Sequence, residues 1–312
     1  MSSAALLCLV LLAAFGLVAA VLAAVVVLAW RAGLERVPMS ADDVLALRLL
    51  PAAGAGLVAL GVVLPAFLMN EPAHEVEPLG WLLPALAVAA LATLADGIRR
   101  GARAWWAART LSRRCRVVGH CAANDGRRVD IVDLEEPIVA VLGAWRPRIV
   151  AARRVVAACS AEELAVILSH ERAHVSARDN LKLLALVASP DLLGWLPAGT
   201  ALMQRWRAAA ELEADARATG VEVQRRVALA AALVKVARLA TRAARPLPAL
   251  TMSVAADDVA GRVRQLLRPA TPVVGRVTLR GLAAGAALLG VLSMPLFAAV
   301  HHWIEALVGF GR

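Results

Sequence analysis

His170-Glu171-Arg172-Ala173-His174 sets two imidazoles four residues apart, with a carboxylate beside the first. On an α-helix, positions i and i+4 share a face, so both rings can reach one ion. Glu171 lies about a third of a turn away on the same helix, where it can take a proton from a water that the ion activates. Zinc suits this donor set, because it accepts neutral imidazole nitrogen and lowers the pKa of a bound water to roughly 7. The flanks predict a helix. Ser160-Ala161-Glu162-Glu163 has the form of a capping box. After it, Leu164, Ile167, Leu168 and Ala173 give an apolar stripe at helical spacing.

A catalytic zinc takes three protein ligands and keeps one position open. The third is expected downstream, in Arg205 to Asp215, an Ala-rich stretch without Gly or Pro that reads as a second helix. Glu211 and Asp215 share a face there. Glu211 is read as the metal ligand, and Asp215 as the acceptor of a hydrogen bond from a ligand imidazole. Glu213, on another face, is the alternative ligand. Arg178-Asp179, just past the His pair, either orients a ligand His or pairs internally.

The chain is 60% hydrophobic and has no Tyr, more apolar than a soluble domain of this length requires. Four runs account for it: Ala4 to Trp30, Leu49 to Asn70 (with Pro51 and Pro65), Leu79 to Ala95, and Gly281 to Val300. Each is long enough to cross about 30 Å of hydrocarbon as a helix. The first lacks a basic leader and is long for a signal peptide, so it reads as a retained span. Arg31, Arg36 and Arg48 lie between or at the edges of the first two runs. The loop Glu71 to Pro78 has no Lys or Arg, and Arg99, Arg100, Arg103, Arg109, Arg113, Arg114 and Arg116 follow the third. By the positive-inside rule, residues 99 to about 279 face the cytoplasm, with the His pair among them. The net charge of +10 fits that asymmetry and an acidic membrane face. No recognition motif accompanies it, so direct nucleic-acid binding is not expected.

The predicted organisation is therefore three membrane helices over 1–98, a metal domain over 99–279, and a final membrane helix with a short tail over 280–312. Within the metal domain, Val129–Val132, Pro137–Leu142 and Arg148–Val156 read as strands, and a sheet edge there could hold an extended peptide by main-chain hydrogen bonds. Asn124-Asp125-Gly126 reads as a turn. Residues 181–204 are apolar but contain Lys182, Pro190, Asp191 and Pro197, which suggests a membrane-associated hairpin rather than a clean span. A helix over 221–243 and an amphipathic one over about 255–267 complete the reading. Cys8, Cys115, Cys121 and Cys159 show no paired ligand spacing and are expected to stay reduced. His301 and His302, next to Trp303, read as interfacial polar capping rather than a metal site, His74 among Glu71, Glu75 and Glu77 as at most a weak metal or pH-sensing loop, and His120 near Cys121 lacks partners.

In order and spacing, Pro147-Arg148-Ile149-Val150, Ser160 to Leu164, His170 to Val175 and Arg178-Asp179-Asn180 resemble the BlaR/MecR-type integral membrane metallopeptidases, and more distantly the HtpX and CAAX-prenyl protease group. The similarity covers residues 137–220 closely and the flanks in layout. It implies a mainly α membrane protein of about four transmembrane helices with a cytoplasmic α+β gluzincin domain, multi-pass in a bacterial cell membrane. By position, His170, His174 and Glu211 would hold Zn2+, with Asp215 supporting the ligands, and Glu171 would be the general base. The resemblance implies a protein substrate, with a winged-helix transcriptional repressor as one form. Quality-control or processing proteolysis, and signalling without cleavage, are the other readings. A homo-oligomer is compatible with all of them. The chain ends shortly after its last apolar run, so no extracellular penicillin-binding sensor is expected.

Overall fold

The computed structural model describes residues 2–70, 80–122, 128–240, 252–253 and 259–268. The expected fourth span, the loop Glu71 to Pro78, the turn at Asn124 and the histidines His74, His301 and His302 lie outside these residues. The described chain forms two compact units: residues 2–100 with 188–206, and residues 101–187 with 207–268.

The first unit holds long helices. α1 (Ser3–Arg31) starts at Ser2, whose side chain accepts from the Ala5 N–H. At 1.5 Å per residue it is about 43 Å long, ample for a bilayer. α2 (Ala41–Val58) starts earlier than the apolar run implied, because Ser40 and Asp43 form a reciprocal capping box. It continues through Pro51 into a π-helical turn, Ala59–Val63, and then α3 (Leu64–Asn70). Pro65 cannot donate a backbone hydrogen bond toward Gly61, and a widened turn before it accommodates the loss. α4 (Leu82–Arg114) runs well past the predicted end of the third apolar stretch, since Ala, Leu and Arg all favour helix. Three helices among the described residues are thus long and apolar enough to cross a membrane.

Their packing is inverted relative to a soluble bundle. Small residues sit inside (Ala13, Ala19, Ala23, Ala87, Ala90), while Leu17, Val21, Val25, Leu28, Leu57, Leu60, Val88 and Leu91 are exposed. A Cβ at Gly16 would stand 3.0 Å from that of Ala90, so small side chains let α1 and α4 approach closely. Residues 188–206 join this unit through polar contacts. The buried Arg48 Nη1 lies 2.9 and 2.7 Å from the two carboxylate oxygens of the buried Asp191. Ser189 also donates to Asp191, Arg100 donates to the Ser189 carbonyl at 2.9 Å, and Trp195 donates to Asp96 at 3.0 Å. A charge buried without its partner costs several kcal/mol, so the ion pair fixes where this segment sits. The expected hairpin over 181–204 resolves into α7 (Asp179–Ala188), a 3-10 turn (Leu192–Trp195) and the start of α8 (Pro197–Thr219).

The second unit is built on a five-stranded sheet of order β1-β2-β4-β3-β5, from β1 (Val117–Ala122), β2 (Arg128–Val132), β3 (Val139–Leu142), β4 (Arg148–Ala152) and β5 (Met252–Ser253). β2 and β4 are parallel, and the other pairs antiparallel. Side chains alternate across β3: Val139 and Val141 join a core that includes Ile167, Leu229 and Leu233, while Ala140 and Leu142 pack with Leu111 and Ile138. Burial on both faces explains why β3 reads as an unbroken apolar run. The third predicted strand stops at Ala152, because Arg153–Ala158 form α5. β1 and β5 were not foreseen. Nor is β3 an open edge along Ala140–Val141, which pair with Ser253 and Met252. α6 (Ala161–Ala177) and α9 (Val223–Ala240) pack against this sheet's core, and α10 (Val259–Leu266) packs on α9.

Candidate metal centre

α6 carries the His pair. Its N-terminus is the reciprocal capping box read from the sequence: Glu163 N–H donates to Ser160 Oγ at 3.2 Å and Ser160 N–H to Glu163 Oε2 at 2.7 Å. Lys235 on α9 donates to the same carboxylate at 2.7 Å. The helix ends at Arg178, whose φ of 56° turns the chain left-handed and lets Asp179 fold back under the site.

His170, Glu171 and His174 are fully or almost fully buried, and Glu211 and Asp215 come to them from α8. His170 Nε2 and His174 Nε2 are 3.1 Å apart. Glu211 Oε2 is 3.5 Å from the first and Oε1 is 3.6 Å from the second. Ligand atoms about 2.0–2.1 Å from a tetrahedral ion stand about 3.3 Å from one another, so the three donors fit such an ion. No other cluster of this kind occurs among the described residues.

Both rings are held from behind. His170 Nδ1 lies 2.9 Å from Asp215 Oδ1, and His174 Nδ1 lies 2.7 Å from Asp179 Oδ2. A carboxylate there fixes the tautomer that leaves each Nε2 to the ion. This decides between the two readings of Asp179: it orients His174. Glu213 is directed elsewhere, half-exposed and paired with Arg217 at 3.0 Å. The carboxylate oxygens of Glu211 and Glu171 are buried and accept no hydrogen bond of good geometry, as expected of groups facing a cation or a reacting atom.

Two further residues belong to the site. Asn180 Nδ2 donates to the carbonyls of Val141 and Gly143, at 2.8 and 3.1 Å, tying the turn after α6 to the end of β3. Arg262 on α10 is buried against Glu211 and Asp215 of α8. Arg178-Asp179-Asn180 was legible as a unit, but Asn180's role needed the strand. Arg262 carries one sequence signal: Val259, Arg262, Val263 and Leu266 fall at i, i+3, i+4 and i+7, which places an arginine in an apolar stripe.

The acidity of the site follows from burial and its neighbours. Desolvation raises the Glu171 carboxyl to about 8, with His170 and Arg262 opposing. Desolvation lowers His170, but the carboxylates of Asp215 and Glu211 beside it prevail and hold it up to about 9. Folding therefore raises both groups above their ordinary values of 4.5 and 6.5. Between those limits the folded chain binds more protons than the unfolded one. The stability these protons contribute is present below the ordinary values and lost as pH rises through about 8 and about 9. Glu211 and Asp215 are shifted down, so their own loss of stability lies on the acid side. The metal-free protein is thus expected to melt at progressively lower temperature from roughly pH 6 to pH 9. Thermal denaturation after chelation checks this, and a melting temperature that rises over the interval contradicts it.

His120 is not part of this centre. It lies 3.1 Å from Asp130 in an exposed cluster with Arg128. The four cysteines are free, and burial raises the thiols of Cys115, Cys121 and Cys159, which suits inert packing rather than metal binding.

No curated protein matches the chain. The family model described as BlaR1 peptidase M56 matches residues 74–266, a stretch that takes in α4, the sheet, both acidic and histidine-bearing helices and α10. The match extends over more than half of the sequence, and the chain belongs to the BlaR1 peptidase M56 family.

Proposed function

We propose that this protein is a multi-pass membrane zinc endopeptidase whose metal domain faces the cytoplasm and cleaves a cytoplasmic or membrane-proximal protein. The observation that carries the reading is the triangle of His170 Nε2, His174 Nε2 and Glu211 carboxylate oxygens, with both imidazoles backed by carboxylates. The domain assignment is three membrane helices over 1–98, the metal domain over 99–279 and a last membrane helix over 280–312. Its orientation rests on the arginines after the third apolar run and their absence from the loop Glu71 to Pro78. The family resemblance adds the substrate class, a winged-helix repressor being the form it implies.

In this reading His170, His174 and Glu211 hold the ion, and Asp215 and Asp179 keep both rings in the ligating tautomer. A bound Zn2+ supplies Lewis acidity toward the scissile carbonyl and an activated water. Glu171 accepts the proton that the water gives up and returns it to the departing amine. Burial of all six acidic and imidazole groups keeps bulk water from competing for them.

The purified full chain is expected to carry about one zinc per molecule. It should lose proteolysis of a protein substrate on chelation and regain it with added zinc. A protein that cleaves equally well after exhaustive chelation, or that never retains zinc, would sink the reading.

A further inference from the structure

We propose that Arg262 is a positioning residue of the metal centre, so that α10 is the fourth helix of the site, after α6, α7 and α8. This rests on the metallopeptidase reading above and adds to it a residue that no motif contains. Arg262 is 5% exposed. Its Nε lies 2.9 Å from Asp215 Oδ2 and its Nη2 2.5 Å from Asp215 Oδ1, a two-pronged grip on one carboxylate. Its Nη1 lies 2.7 Å from Glu211 Oε2. One planar cation therefore spans Glu211 and Asp215 of α8.

The consequence is geometric. Asp215 Oδ1 is also the oxygen that faces His170 Nδ1, at 2.9 Å. Arg262 locks the carboxylate plane, the carboxylate locks the His170 ring, and the ring presents Nε2. Glu211 is likewise kept from swinging away from the two histidines. Without the guanidinium, two buried carboxylates one helical turn apart would repel each other and turn aside. The grip is available because α10 docks by its apolar stripe: Val259, Val263 and Leu266 join the core that includes Ile167 and Leu229. That docking leaves Arg262 no route to water. Lysine would keep the charge but cannot make the fork.

The test measures zinc affinity of the folded full chain by chelator competition, alongside the melting temperature of the metal-free form. R262Q is expected to weaken zinc binding by about 10–100-fold, the usual effect of losing a group that orients a ligand. R262K is expected to weaken it by at least about tenfold, because charge alone does not restore the grip. D215N combined with R262Q should weaken zinc binding by clearly less than the product of the two single effects, since the Asp215–Arg262 contact they share can be lost only once, while the hold of Arg262 on Glu211 is lost through R262Q alone. Should R262Q fail to fold, R262K and the double variant carry the measurement. A lowered melting temperature with unchanged or tighter zinc affinity would overturn the proposal, as would wild-type affinity in R262K or full additivity in the pair. A wild-type chain that binds no zinc would instead overturn the metallopeptidase reading itself.

Discussion

Glu171→Gln is expected to keep its zinc and lose about 10²–10⁴-fold in peptide hydrolysis, the range ascribed to a positioned general base. The side chain is fully buried and its two oxygens accept no well-formed hydrogen bond, so the amide replaces the acid without breaking an existing network. None of the three ligand atoms belongs to it. Zinc content and affinity should therefore stay within about threefold of wild type, while turnover falls. The same variant should hold an uncut substrate long enough for capture. If Glu171→Gln cleaves at the wild-type rate, the base is assigned wrongly. If it loses zinc as well, Glu171 contributes to the centre in some way beyond proton transfer.

The candidate site was legible because its residues are local to two helices. His170 and His174 declare themselves by spacing on one face, and Glu211 and Asp215 by the same rule on a second. Ser160 and Glu163 mark where the first helix begins, and the structure has that box in both directions. What sequence alone could not supply depends on chain segments that meet only in the fold. Asp179 follows a residue in the left-handed region, a backbone choice that no side-chain pattern around Arg178 announces. Asn180 bonds to carbonyls of a strand nearly forty residues earlier. Arg262 lies further along the chain than either acidic residue, and its helix reads at first as an ordinary amphipathic segment.

In the fold, apolar runs located β2, β3 and the three described helices long enough to cross a membrane, but misplaced their ends. Helix propensity carried α4 beyond its apolar run, and the cap at Ser40 started α2 before its own. The strand over 148–156 was overextended because Arg153 to Val156 are as β-branched as the strand before them. β1 was missed because Gly119, His120 and Cys121 dilute its alternation. β5 was missed because two residues carry no period at all.

Glu211→Gln against Glu213→Gln separates the two acidic residues that the sequence left as alternatives. Glu211 faces both Nε2 atoms from 3.5 and 3.6 Å, whereas Glu213 points outward to Arg217. An amide oxygen has the shape of the carboxylate but not its charge, so the substitution tests ligation with little change in packing. Structural zinc sites with four ligands bind with about 10–16 kcal/mol, or about 2.5–4 kcal/mol per ligand. Losing one charged ligand of three should then weaken zinc binding by about 10²–10³-fold. Proteolysis should vanish at limiting zinc and return only in part at high zinc. Glu213→Gln removes an exposed ion pair one turn from Arg217, an interaction of about 0.3–0.5 kcal/mol. Its zinc affinity and activity should stay within about twofold of wild type. The opposite ranking of the two variants would mean that α8 turns a different face to the histidines when the ion is bound. Asp215 and Arg262, which share the face of Glu211, would then lose their place beside His170.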